Sequence, residues 1–183
     1  MVLAPSTRRV FLIGFMGAGK TSVGRALAAR LRWRFCDLDD VIERREGKTV
    51  PEIFAAAAEA GFRRAESEAL RELLQDPSYR NDLVVALGGG TFAQPANRAA
   101  LKEAGAVTVL LEAPLEELRR RCTSDQTVRP LAGNGDRLAE LFEQRRAAYQ
   151  LATHTVNTVG KRVEDISAEI EMILGFRVPE TKE

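Results

Sequence analysis

Gly14-Phe15-Met16-Gly17-Ala18-Gly19-Lys20-Thr21 has the spacing G-x-x-x-x-G-K-[ST]. The apolar run before it, residues 9–13 (RVFLI), predicts a short buried strand, and residues 22–31 after it predict a helix. Strand, glycine-rich turn and helix start are the context in which this spacing makes a phosphate cradle. The backbone N–H groups of such a turn point inward at an anion, beside the positive end of the helix. Lys20 then reaches the β- and γ-phosphates of a nucleotide, and the Thr21 hydroxyl binds Mg²⁺. The stretch implies a bound nucleotide and is silent on what is done with it.

Working outward, apolar β-rich runs recur at 10–13, 33–36, 83–87, 106–111 and 154–156. Helical spacing lies between and after them: Val23, Ala26, Leu27 and Leu31; Leu70, Leu73 and Leu74; Leu138, Leu141, Phe142 and Arg145; Ile166, Ile170, Ile173 and Leu174. Strands alternating with helices of this size predict an α/β fold with a parallel sheet covered on both faces. Ligands bind such sheets at the carboxyl ends of the strands. Two segments interrupt the alternation. Residues 39–75 read as helical, with breaks expected at Gly47, Pro51 and Gly61, and suit an inserted region for a second substrate. Residues 123–136, with Pro130, Gly133 and Gly135, read as a loop between two helices. A structureless loop of about 12–15 residues is commonly functional, and an active-site lid is one such case.

The chain has 183 residues, of which 45% are hydrophobic, enough for one domain with a substantial core. The expected organisation is a single domain over 1–183: core 8–36, 82–122 and 137–175, substrate-binding region 37–75, lid 123–136 and a frayed tail 177–183. The net charge of +1 and the lack of a basic block argue against nucleic acid or a membrane surface as partner. The cysteines, Cys36 and Cys122, read as reduced thiols. With no apolar run near the ~20 residues a membrane helix needs, and no signal-peptide pattern, the expected compartment is the cytoplasm. The sole histidine, His154, has no nearby catalytic or metal-binding partners in sequence and reads as structural.

Other positions carry chemistry. Phe35-Cys36-Asp37-Leu38-Asp39-Asp40 ends the second strand with acids that would face the phosphate loop. Such acids hold Mg²⁺ or orient an accepting hydroxyl; the plainer reading is that they cap the next helix. Gly88-Gly89-Gly90 follows the third strand and lets backbone approach a ligand closely. Arg129-Pro130 lies in the lid, where an arginine can offset charge on a transferring phosphoryl group. Arg63 and Arg145, on helices, suit a carboxylate. Glu112 ends a hydrophobic strand and offers a rival reading as the acid of a motor-type ATPase, weaker than that of Asp37.

Taken together these residues resemble the shikimate kinases over nearly the whole chain. The shared features are Gly14–Thr21, Phe35-Cys36-Asp37-Leu38-Asp39 (F-x-D-x-D), Phe62-Arg63-Arg64-Ala65-Glu66 (F-R-x-x-E), Gly88-Gly89-Gly90, Arg129-Pro130-Leu131, and Arg145 through Tyr149 (R-x-P-L-Y). The resemblance implies a three-layer α/β/α P-loop fold, like that of the nucleoside monophosphate kinases, with a five-stranded parallel sheet in the order 2-3-1-4-5. It implies ATP and Mg²⁺, with γ-phosphoryl transfer to the 3-hydroxyl of shikimate, and a monomer. Carried over residue by residue, Gly17, Ala18, Gly19, Lys20, Thr21 and Ser22 bind ATP, and Thr21 and Asp37 serve Mg²⁺. Asp39 holds shikimate hydroxyls and acts as base. Arg63 and Arg145 hold the carboxylate, Gly88, Gly89 and Gly90 line the substrate site, and Arg129 closes over the phosphates. Arg121 and Arg162 are the candidates to flank adenine. Leu87, Ala132 and Ala147 depart from the family pattern and bear on lid geometry and adenine contacts. Another small-molecule kinase, such as a gluconate kinase, is the alternative. A guanine-nucleotide switch is disfavoured because neither N-K-x-D nor D-x-x-G occurs.

Overall fold

The computed structural model describes residues 8–80, 82–124 and 135–175. In chain order these form β1 (Arg9–Ile13), α1 (Lys20–Leu31), β2 (Arg34–Asp37), α2 (Leu38–Glu46), α3 (Val50–Gln75), β3 (Leu83–Ala86), α4 (Pro95–Glu103), β4 (Val107–Glu112), α5 (Leu115–Ser124), α6 (Gly135–Tyr149), β5 (His154–Asn157) and α7 (Val163–Leu174). The strands make one sheet in the order β2-β3-β1-β4-β5, every neighbouring pair parallel. This is the order the resemblance implied.

Parallel neighbours need crossovers, and the crossovers lay helices on the faces of the sheet. The central strands are accordingly apolar without alternation: all five residues of β1 and all four of β3 are buried. Phe11, Leu12 and Ile13 of β1 pack with Leu27 of α1, Leu70 of α3 and Leu83 of β3 in one hydrophobic core. Each such side chain contributes about 1.5–3 kcal/mol by leaving water. Arg9 is also buried; its Nη1 and Nη2 donate to the carbonyls of Leu74 and Ala104 at 3.1 Å each, while its Nε has no partner among the described residues. That tie fixes where β1 enters the sheet.

The helical insertion differs from expectation in where it breaks. Gly47 ends α2 in a left-handed conformation, as anticipated. Pro51, however, starts a helix instead of breaking one. Thr49 and Glu52 form a capping box around it, and a proline costs nothing in the first turn, where its missing N–H has no helical partner. No break falls at Gly61. The kink is at Ala58, with φ 52° and ψ −172°. A Cβ on Gly61 would lie 2.2 Å from that of Ala57, so the glycine supplies the clearance the kinked turn needs. At the other interruption α5 runs to Ser124 and α6 begins at Gly135, so 123–124 and 135–136 belong to helices and not to the loop. Residues 125–134 lie outside the described set. Among the described residues, no helix is long and apolar enough to cross a membrane.

Candidate active site

The carboxyl ends of β1, β2 and β3 deliver three loops to one edge of the sheet. The first is the glycine-rich loop. Gly14, Gly17 and Gly19 have φ of 146°, 78° and 85°, a region that side chains disfavour. A Cβ on Gly14 would also lie 2.7 Å from the carbonyl oxygen of Leu111, and one on Gly17 2.6 Å from that of Leu118. The loop is therefore shaped by α5 and β4 as well as by its own residues. Lys20 reaches back across it, its Nζ donating to the carbonyls of Gly14 (3.0 Å) and Phe15 (3.1 Å).

The second loop is the turn from β2 into α2. Asp37 is the N-cap of α2, its Oδ1 accepting from the Asp39 N–H at 3.2 Å. Its other oxygen accepts a 2.8 Å hydrogen bond from the Thr21 hydroxyl. Helix cap and phosphate-loop partner are thus one role, not two competing ones. Asp40 is exposed in the first turn and serves the helix start. Asp39 turns inward. Its Oδ1 is buried and has no hydrogen-bond partner among the described residues. Burial, with the negative charge of Asp37 adding to it, pushes the Asp39 carboxyl up to about 6, although Lys20 opposes the rise.

The third loop is the glycine triplet after β3, and other side chains occupy the space its missing Cβ atoms leave. A Cβ on Gly88 would sit 2.7 Å from Glu66 Oε1 and 3.2 Å from Asp39 Oδ1. On Gly89 it would sit 3.2 Å from Arg145 Nη1, and on Gly90 2.1 Å from Arg63 Nη1. Gly89 also lies beside the phosphate loop, its Cβ position 3.7 Å from the Gly14 carbonyl oxygen and 3.8 Å from the Met16 nitrogen. The triplet thus joins Asp39, Arg63 and Arg145 to the loop that carries Lys20.

Glu66 organises this cluster from beneath. It is fully buried and accepts from Arg63 Nη1 at 2.8 Å, from Gln94 Nε2 at 3.0 Å and from the Thr91 hydroxyl. Burial alone would weaken the hold of Arg63 on its proton, but Glu66 and Glu59 more than offset it and raise the pKa. Arg145 is buried too, over the Phe15 ring, and its pKa is lowered chiefly by burial. Both guanidiniums line a cavity of about 720 Å³ with Val50, Phe54 and Leu141. Sequence reading assigned no role to Glu66, Thr91 or Gln94. The signals for Glu66 were its place at the end of the F-R-x-x-E segment and its spacing three residues from Arg63 on a helix, which places the two on one face.

The other candidates stand apart from this cluster. Arg121 donates to Glu117 at 2.8 Å and to the Thr158 hydroxyl and carbonyl at 3.0 and 2.9 Å. Arg162 is exposed and paired with Asp165 at 3.0 Å. Both border the turn between β5 and α7. Arg129 lies outside the described residues. Glu112 accepts from Gln150 at 3.1 Å, a surface tie between β4 and the end of α6. Cys36 is free, and burial raises its thiol to about 11, too high for a nucleophile.

A profile of the family described as shikimate kinase matches residues 16–174. A shikimate kinase of Geobacter metallireducens is 45% identical over 92% of this chain and 93% of its own. The structure of an Acinetobacter baumannii shikimate kinase in complex with shikimate superposes with a TM-score of 0.82 at 36% identity, covering 94% of this chain and 96% of that one. A gluconokinase from Sinorhizobium meliloti reaches a TM-score of 0.56 at 19% identity, a likeness of fold alone. A phosphate loop, a buried acid and two arginines gathered on a glycine triplet agree with these relationships: the chain belongs to the shikimate kinase family.

Proposed function

We propose that this chain moves the γ-phosphoryl group of ATP to the 3-hydroxyl of shikimate, and that the cluster on the glycine triplet is the acceptor site. The observation that carries the reading is the gathering of Asp39, Arg63 and Arg145 around Gly88–Gly90, beside the loop that carries Lys20. Shikimate is a small ring with one carboxylate and three hydroxyls. Arg63 and Arg145 hold the carboxylate, Asp39 accepts from hydroxyls, and the triplet lets the ring lie against backbone. Gly17, Ala18, Gly19, Lys20, Thr21 and Ser22 hold the phosphates of ATP, and Arg121 and Arg162 border the adenine. Arg129 keeps the role the resemblance gave it, from outside the described residues.

The oxygen atoms of Thr21 and Asp37 fit Mg²⁺. Among the described residues no cluster of three or more protein ligands could hold a metal, and Mg²⁺ is commonly bound by one or two protein oxygens together with phosphates and water. Thr21 and Asp37, 2.8 Å apart, supply that pair. When bound, the ion neutralises charge on the phosphate oxygens. Asp39 orients the hydroxyl and takes its proton as the bond from the γ-phosphorus to that oxygen forms. The bond from the γ-phosphorus to the β-phosphate oxygen breaks, and ADP leaves. Lys20 stays on the transferring group throughout. One chain carries all these groups, so the site needs no second copy.

The test is a coupled ADP-release assay with shikimate and gluconate in parallel, followed by ³¹P and ¹H NMR of the product. The expected result is turnover with shikimate only and a phosphate coupled to the proton on carbon 3. Equal turnover with gluconate, or a phosphate on another carbon, contradicts the proposal.

A further inference from the structure

Tyr149 closes α6, one helical turn beyond Arg145, so the two side chains share a face. The phenol is 4% exposed, and its hydroxyl donates to the carbonyl of Gly89. Arg145, on the same helix face, is electrostatically coupled to the phenol: the pair favours the charged guanidinium and opposes the rise that burial gives the phenol. A Cβ on Gly89 would meet Arg145 Nη1 at 3.2 Å. Tyr149, Arg145 and Gly89 thus form one compact group, with the phenolic hydroxyl donating to the Gly89 carbonyl and the guanidinium beside the same glycine. We infer that Tyr149 is a positioning residue for the acceptor substrate, holding the Arg145 guanidinium and the Gly89 backbone in mutual register.

The physical need is specific. A glycine triplet has no side chains with which to anchor itself, so its backbone must be held from outside. Thr91 Oγ1 ties the far end of the triplet region to Glu66, and the Gly88 carbonyl accepts from the Thr91 N–H at 3.1 Å. On the Gly89 side, Tyr149 is the tie to a different element. Arg145 has a parallel problem. It is 7% exposed, and the described residues provide it with no ion pair comparable to that of Arg63 with Glu66. A long, flexible, buried cation depends for its aim on the groups packed beside it, and Tyr149 is one of them. Burial holds the Tyr149 hydroxyl up at about 12, so it keeps its proton at any working pH and stays a donor. In sequence Tyr149 was the last residue of a family-like segment and had no task of its own.

The inference rests on Arg145 holding the shikimate carboxylate, and the experiment separates the two. Tyr149→Phe keeps the ring in the core and removes only the oxygen. Steady-state kinetics with shikimate and ATP varied separately, together with thermal melting, are measured for Tyr149→Phe and Arg145→Ala. The expected result for Tyr149→Phe is a shikimate KM raised about fivefold or more, consistent with loss of a buried hydrogen bond worth about 1 kcal/mol or more. The ATP KM stays near wild type, and the melting midpoint falls by no more than about 2–4 °C, the shift that about 1 kcal/mol gives in a domain of this size. A wild-type shikimate KM in Tyr149→Phe, alongside a raised one in Arg145→Ala, overturns the positioning role alone. A wild-type shikimate KM in Arg145→Ala overturns the carboxylate assignment itself. A fall in melting temperature with both KM values unchanged makes Tyr149 a packing residue and also overturns the inference.

Discussion

The guanidinium of Arg63 lies where a side chain on Gly90 would have to be: a Cβ built there falls 2.1 Å from Nη1 and 2.6 Å from Nη2. Arg63 is held in that place by Glu66 at 2.8 Å and Glu59 at 3.3 Å. A methyl group on Gly90 therefore cannot be accommodated by moving the backbone of a close-packed sheet end; it must move the arginine. Gly90→Ala is expected to raise the KM for shikimate by about tenfold, the cost of roughly one charged hydrogen bond, while the KM for ATP stays within twofold. A wild-type shikimate KM in that variant would mean that Arg63 does not contact the substrate from its observed position.

Glu66 makes a different prediction, about stability. It is fully buried and faces a partly buried arginine. Removing one partner of a buried ion pair leaves an uncompensated charge, which typically costs about 3–5 kcal/mol. Glu66→Ala should lower stability by an amount of that order in urea denaturation, and Glu66→Gln should lose less because an amide still accepts from Arg63. Equal, small losses in both variants would show that the carboxylate charge is unimportant to the fold.

Much of this site could be read from sequence, and the parts that could not share a cause. The glycine-rich loop, the acids after β2 and the triplet after β3 are local signals, because backbone conformation and strand ends leave a mark in spacing. The kink at Ala58 left none, since alanine carries no preference for a positive φ and the glycine that makes room for it sits three residues on. Glu66 shows the same limit. That a glutamate is fully buried beneath three donors is a property of how α3 meets the β3–α4 turn, and no window of sequence contains both. For Asp37 the sequence offers a helix cap or an acid facing the phosphate loop, and its two carboxylate oxygens let it cap α2 and face Thr21 at once.

The raised pKa of Asp39 has a thermodynamic sign. Its carboxyl titrates near 6 in the folded chain against 3.8 as an ordinary aspartate. Folding therefore favours the protonated form. Below pH ~3.8 the group has no cost, and the cost grows as pH rises toward 6, levelling off above it at about 1–3 kcal/mol. Asp39→Asn removes the charge and should stabilise the nucleotide-free, metal-free protein at pH 7.5, with the gain shrinking toward pH 4. Denaturation in EDTA at both pH values measures this. A variant no more stable than wild type at pH 7.5 would contradict the burial of that charge.

Asp39 lies between the loop that carries Lys20 and Thr21 and the cluster of Arg63, Arg145 and the glycine triplet, and the proposed reaction needs it to join the two. The most direct test measures kcat and ATP affinity together in Asp39→Asn. General-base catalysis contributes about 10²–10⁴ in rate, so kcat with saturating shikimate should fall by at least about 100-fold while the Kd for ATP stays within twofold. A variant that keeps the wild-type kcat would contradict the account.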